Sequence, residues 1–106
     1  MNILILDDDR MILSGLSRFM NMSGMGNVIH EASTSKYAIE LLSSMEIDLL
    51  LMDGHCPDNC QAGMLALGKG IRVLIMTGDL SYDNPLFTEV LFKPFDLDEL
   101  EDLITK

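Results

Sequence analysis

Short apolar runs punctuate this chain, and most of them stop at a residue that carries chemistry. Leu49-Leu50-Leu51-Met52 meets Asp53-Gly54-His55-Cys56-Pro57, and Ile3-Leu4-Ile5-Leu6 meets Asp7-Asp8-Asp9. Val73-Leu74-Ile75-Met76 runs into Thr77-Gly78, and Val90-Leu91-Phe92 into Lys93-Pro94. Such runs are too short for a membrane span and read as strands buried on both faces. Strands are expected over Asn2–Leu6, Asn27–Ala32, Asp48–Met52, Arg72–Met76 and Glu89–Phe92.

Between them the apolar period lengthens to that of a helix. Ile12, Leu16, Phe19 and Met20 form one stripe in a helix over Arg10–Met22, which Asp9 is placed to cap and Gly24-Met25-Gly26 to end. Ser33-Thr34-Ser35 supplies caps for a helix over Lys36–Met45 with Ala38, Leu41, Leu42 and Met45 inward. A third helix of two to three turns is expected around Ala62–Leu67, weakened by Gly63, Gly68 and Gly70. Gly78–Thr88 is only eleven residues long, close to the ~10–12 that a parallel crossover with its helix needs. The fourth helix is therefore short or absent. Asp96 and Glu99 have capping-box spacing for the last helix, whose inner face is Leu97, Leu100, Leu103 and Ile104.

Strands alternating with helices predict an α/β domain, a doubly wound five-stranded parallel sheet covered on both faces. Right-handed crossovers put every strand-to-helix loop at the carboxyl edge of the sheet, where ligands of such folds bind. Asp7, Asp8, Asp9, Asp53, Thr77 and Lys93 all arrive there.

At 106 residues the chain makes one domain, 1–106, with a core of ordinary size. Two cysteines are too few for a disulfide framework. A net charge of −10 argues against nucleic acid and against an anionic membrane surface as partners. The first apolar run meets three Asp instead of carrying a basic flank, and no run approaches the ~20 residues of a membrane helix. A cytoplasmic protein is expected.

Taken alone, Asp53 would also suit a turn cap, Asp7–Asp9 a solvated turn, Lys93 the surface and Thr77 a strand-end bond to backbone. Together they suit another purpose. Crowded carboxylates repel unless a cation lies among them, and an all-oxygen set of this kind fits Mg²⁺. Adding a hydroxyl, an amide after Gly78 and an ammonium completes the parts of a phosphoryl-transfer site.

In these residues the chain resembles the receiver domain of bacterial two-component response regulators. The matching positions are Asp7-Asp8, Asp53 followed by Pro57, Thr77-Gly78 and Lys93-Pro94-Phe95, in order along the whole chain. The resemblance implies a flavodoxin-like sheet of order 2-1-3-4-5 and a signalling role rather than enzymatic turnover of a separate substrate. Asp53 would accept a phosphoryl group from a sensor histidine kinase or phosphotransfer protein, and Thr77 and Lys93 would bind its oxygens. Mg²⁺ would be held by Asp8, Asp53 and the backbone carbonyl of His55, with Asp7 acting through water. The Lys93–Pro94 bond would be cis.

Three departures from the family pattern stand out. Val90 occupies the place, three before the lysine, where an aromatic is usual. The glycine that normally follows the proline is displaced to Gly63, and the fourth crossover is shortened. Tyr82, Phe87 and Phe92 lie near that crossover as substitutes for the aromatic, with core packing the expected role of Phe92. No output segment follows Lys106, so the signal is expected to pass through an unidentified downstream protein. His55 and Asp79 are expected to flank the approach of water to the site.

Other readings remain at this stage. Asp7-Asp8-Asp9 contains the Asp-x-Asp of haloacid-dehalogenase-like phosphatases, although these place the nucleophile on the first strand. A degenerate receiver that binds without phosphorylation is the third. His55, Cys56 and Cys60 hint at zinc but lack a fourth ligand and CxxC spacing. His30 reads as an ordinary strand residue.

Overall fold

The computed structural model describes residues 1–22, 27–54 and 59–105. The elements are β1 (Asn2–Leu6), α1 (Arg10–Met22), β2 (Val28–Ala32), α2 (Ser35–Ser44), β3 (Leu49–Asp53), α3 (Asn59–Gly68), β4 (Arg72–Thr77), β5 (Val90–Phe92) and α4 (Leu97–Ile104). All pairings are parallel and the order is β2-β1-β3-β4-β5.

The period of two along each strand divides the core cleanly. Leu4, Leu6, Leu50, Met52, Val73 and Ile75 face a cluster with Ala38 and Leu42 of α2 and Ala62 and Ala66 of α3. Their neighbours Ile3, Ile5, Leu49, Leu51, Leu74 and Met76 face Leu13, Leu16 and Met20 of α1 and Leu100 and Ile104 of α4. Every residue of β3 is buried, including Asp53. Central strands covered on both faces must be apolar throughout, which is why these runs do not alternate.

The helical stripes are narrower than their periodicity suggested. In α1 the deep line is Leu13, Leu16 and Met20, with Ile12 and Phe19 on its flanks. In α2 the buried residues include Ala38 and Leu42, Leu41 is partly covered, and Met45 turns outward as the C-cap. Ile47 fills the cluster beyond it. In α4 Leu97 is exposed at the first position, leaving Leu100 and Ile104 as anchors.

Capping follows the sequence at two helices and departs from it at one. Asp9 Oδ1 accepts from Met11 N at 2.9 Å, and Thr34 Oγ1 accepts from Tyr37 N at 3.2 Å. Asp96 stands at the N-cap of α4 but makes no side-chain cap bond. Its carbonyl accepts from Glu99 N at 3.1 Å instead, so the capping box is not formed.

Helix α3 runs beyond Ala62–Leu67 at both ends, and Gly63 inside it has a packing cause. A Cβ there would lie 2.6 Å from Phe87 Cζ and 2.9 Å from Met52 Cε. The glycine weakens the helix by about 1 kcal/mol and gives Phe87 its seat in the core. Between β4 and β5 there is no helix. Two turns take its place, closed by Tyr82 N to Asp79 O at 3.0 Å and Phe87 N to Asn84 O at 3.1 Å. No helix among the described residues is long and apolar enough to cross a membrane.

Candidate functional site

Parallel register delivers the strand ends side by side, since Leu6 pairs with Met52, Asp53 with Met76 and Thr77 with Phe92. The loops beyond are stitched to the neighbouring strands. Asp7 N donates to Ala32 O at 3.1 Å, Gly54 N to Met76 O at 2.9 Å and Lys93 N to Thr77 O at 2.7 Å. Asp7, Asp53, Thr77 and Lys93 therefore start from a common edge.

Their side chains converge. Lys93 Nζ lies 3.7 Å from Asp7 Oδ2 and 3.9 Å from Asp53 Oδ1, too far for hydrogen bonds but close enough for strong attraction. One carboxylate oxygen each from Asp7, Asp8 and Asp53 can be grouped within 4.8 Å of one another. Three carboxylates against one ammonium leave two negative charges, which a divalent cation would balance.

Asp7 is the informative member. It is fully buried, and its Oδ1 accepts from Asp9 N at 2.9 Å. Its Oδ2 is buried without a hydrogen-bond donor among the described residues. Burial pushes the Asp7 carboxyl above its ordinary range, the Asp9 amide pulls it back, and the charge of Asp53 adds to the push. An anionic oxygen left without a donor is costly unless something else binds it. Asp7, Asp8 and Asp53 thus fit Mg²⁺, a hard cation that takes oxygen ligands.

Thr77 is fully buried at the next strand end, and its Oγ1 accepts from Asp79 N at 3.1 Å. Asp79 Oδ1 accepts from Ser81 N at 2.9 Å and from Ser81 Oγ at 2.6 Å, so this carboxylate is engaged in its own turn. A Cβ at Gly78 would meet nothing within 4 Å. The space beside that amide is open. The Lys93–Pro94 peptide is cis. His55, Cys56 and Pro57, with the carbonyl expected to join the metal set, lie outside the described residues, while Cys60 is exposed in the first turn of α3.

The aromatic residues sort differently from expectation. Phe92 is not in the core; it is 39% exposed, because a three-residue edge strand has no helix beside it on that side. Phe87 takes the core position instead. Val90 is partly buried against the same cluster, and Tyr82 packs there too. His30 lies within β2. A Cβ at Gly54 would stand 3.1 Å from Tyr82 Cε2, a proximity with no sequence signal beyond the presence of an aromatic in the short crossover.

The domain is thus of the doubly wound α/β class, with an acidic pair, a third carboxylate, a hydroxyl and an ammonium gathered on the carboxyl edge where ligands of such folds bind. The chain matches the response regulator receiver domain over residues 3–105. It belongs to that family, the receiver domains of two-component signalling.

A stretch of 55 residues is 36% identical to the nitrate/nitrite response regulator protein NarL of Escherichia coli K12, covering 52% of this chain and 26% of that protein. The match thus spans about a quarter of the curated relative. Among solved structures, a CheY-like receiver domain protein from Methanospirillum hungatei superposes with a TM-score of 0.84 at 23% identity, covering 98% of this chain and 90% of that one. The response regulator TrrA of Thermotoga maritima, solved with Mg²⁺ and BeF, gives 0.85 at 21% identity with coverages of 98% and 96%. The fold is that of CheY-like receivers.

Proposed function

We propose that Asp53 is a phosphoacceptor, charged by a sensor histidine kinase or a phosphotransfer protein, and that the charged domain signals to a downstream protein. In the transfer, an Asp53 carboxylate oxygen attacks phosphorus. The new O–P bond forms as the donor's P–N bond breaks, and the departing imidazole takes up a proton from solvent. Lys93 faces the charge on the equatorial oxygens, and the Thr77 hydroxyl, whose oxygen accepts from Asp79 N, would donate its proton toward them. Asp7, Asp8 and Asp53 would hold Mg²⁺ together with the His55 carbonyl. When bound, the cation supplies charge neutralisation at the phosphoryl oxygens.

The observation that carries this reading is the approach of Lys93 Nζ to both Asp7 and Asp53, beside a carboxylate group of metal-binding geometry. The domain catalyses only its own phosphorylation and dephosphorylation, turns over no separate substrate, and acts in the cytoplasm. The phosphatase reading has no support from the family match.

Intact-mass measurement after incubation with acetyl phosphate and MgCl₂ tests the proposal. One added phosphoryl group is expected, absent from Asp53→Asn and absent without Mg²⁺. No mass gain in the native chain would favour a receiver that binds without phosphorylation.

A further inference from the structure

Gly54, the residue after Asp53, is closely surrounded, so that a side chain there would press on its neighbours. A Cβ there would stand 3.1 Å from Ile75 Cγ2, 3.1 Å from Tyr82 Cε2 and 3.3 Å from Thr77 Cβ. The edge of the Tyr82 ring and the Thr77 side chain therefore both border the space over Gly54, next to Asp53 in the chain. No other aromatic ring meets a Cβ built at Gly54 among its three nearest neighbours.

The ring is placed by the same turn that holds Thr77. Tyr82 N donates to Asp79 O at 3.0 Å, and Asp79 N donates to Thr77 Oγ1 at 3.1 Å. Within four residues the chain thus holds the hydroxyl oxygen and brings a ring edge to Gly54, the residue after β3. Tyr82 also packs against the apolar cluster under α2 and α3. Burial, and then the nearby Cys60, push its phenol above the ordinary range, opposed by a hydrogen bond with the Asn84 side chain.

We infer that Tyr82 is a positioning residue that shields the Asp53 phosphoryl group from water on the side bounded by Gly54 and Thr77. The inference rests on the phosphoacceptor reading of Asp53. In the loss of the phosphoryl group, a water oxygen attacks phosphorus, the bond to the Asp53 oxygen breaks, and phosphate and the free carboxylate result with a proton released to solvent. A ring on one flank narrows the directions from which that water can arrive. It touches no reacting atom.

The test follows the decay of the phosphorylated full-length chain after removal of acetyl phosphate. Tyr82→Ala is expected to shorten the lifetime about fivefold. Tyr82→Phe, which keeps the ring, should remain close to the native rate. The Mg²⁺ concentration giving half-maximal phosphorylation should be the same in all three, because Asp7, Asp8 and Asp53 are untouched. Equal lifetimes for Tyr82→Ala and the native chain would overturn the inference while leaving Asp53 as acceptor, whereas a native chain that gains no phosphoryl group would overturn both.

A second measurement does not depend on the alanine variant folding. The chain has two tyrosines and no tryptophan, so Tyr37→Phe leaves Tyr82 as the only tyrosine fluorophore. Beryllofluoride with Mg²⁺ should change its emission, and Asp53→Asn in the same background should abolish the change. Unchanged emission on binding would overturn the inference.

Discussion

Strand β4 has a charged residue at its start and a phosphoryl-binding candidate at its end, and the two ends handle charge in opposite ways. At the amino end, Arg72 Nε and Nη2 donate to the two oxygens of Glu89 at 2.8 and 2.6 Å. The same guanidinium reaches the carbonyls of Leu103 at 2.8 Å and Ile104 at 3.4 Å. It thereby ties β4, the residue before β5 and the last turn of α4, satisfying carbonyls that a helix end leaves unpaired. At the carboxyl end, Asp7 keeps a buried oxygen without a donor and Lys93 stands beyond hydrogen-bond range of both acids. The titrations mirror this: a hydrogen bond from Arg72 holds Glu89 below its ordinary range, whereas burial lifts Asp7 above its own. Charge that only builds the fold is paired within the fold, and charge left over points to a ligand.

The largest effect separating the two ends should come from Lys93→Ala. It should slow phosphorylation by acetyl phosphate on the order of a hundredfold, while Arg72→Ala changes that rate little; comparable losses in both variants would erase the distinction. In urea unfolding the order should invert. Arg72→Ala should cost about 1–2 kcal/mol, a figure kept low because Arg72 and Glu89 are partly solvated, and Lys93→Ala much less.

A smaller and opposite effect is expected at Asp7. Asp7→Asn removes a buried charge and should stabilise the metal-free protein by about 1 kcal/mol, while removing the rise in melting temperature that MgCl₂ gives the native chain. Because the folded pKa of Asp7 is raised, its favourable contribution is complete below the ordinary 3.8 and is lost as pH rises through the folded value. The stability gap between variant and native chain should therefore widen from acid toward neutrality. Melting curves across that range, without metal, check the sign.

The smallest effect belongs to Glu89, whose folded pKa is lowered. Its contribution is present above the ordinary 4.5 and is lost as pH falls through the folded value. Glu89→Gln should cost a few tenths of a kcal/mol at neutral pH and nothing in acid. Urea midpoints at both pH values read the difference.

Most of the fold and the gathering of side chains at the carboxyl edge could be read from the chain because each rests on local pattern. Unbroken apolar runs signal strands covered on both faces, and their terminal residues share an edge once the crossovers are right-handed. Asp7, Asp53, Thr77 and Lys93 followed from that geometry. What escaped depends on distant partners. Arg72 reads as a strand-start surface residue until Glu89 and the end of α4 meet it. Gly63 reads as a helix breaker and a displaced family glycine, since its packing reason is Phe87, far along the chain. Phe92 looked like core because β5 is apolar, but the missing helix leaves its ring uncovered. Asp96 and Glu99 have capping-box spacing, yet spacing does not set the side-chain rotamers that would close it.

The shortness of β5 has a kinetic consequence. Among the described residues Val90–Phe92 pair with one strand, along Ile75–Thr77, and this brief seam helps to aim the ammonium at the acids. Local opening of an edge needs far less free energy than melting the whole domain. Opening of this seam alone would therefore take the lysine out of the site while the other four strands stay shut.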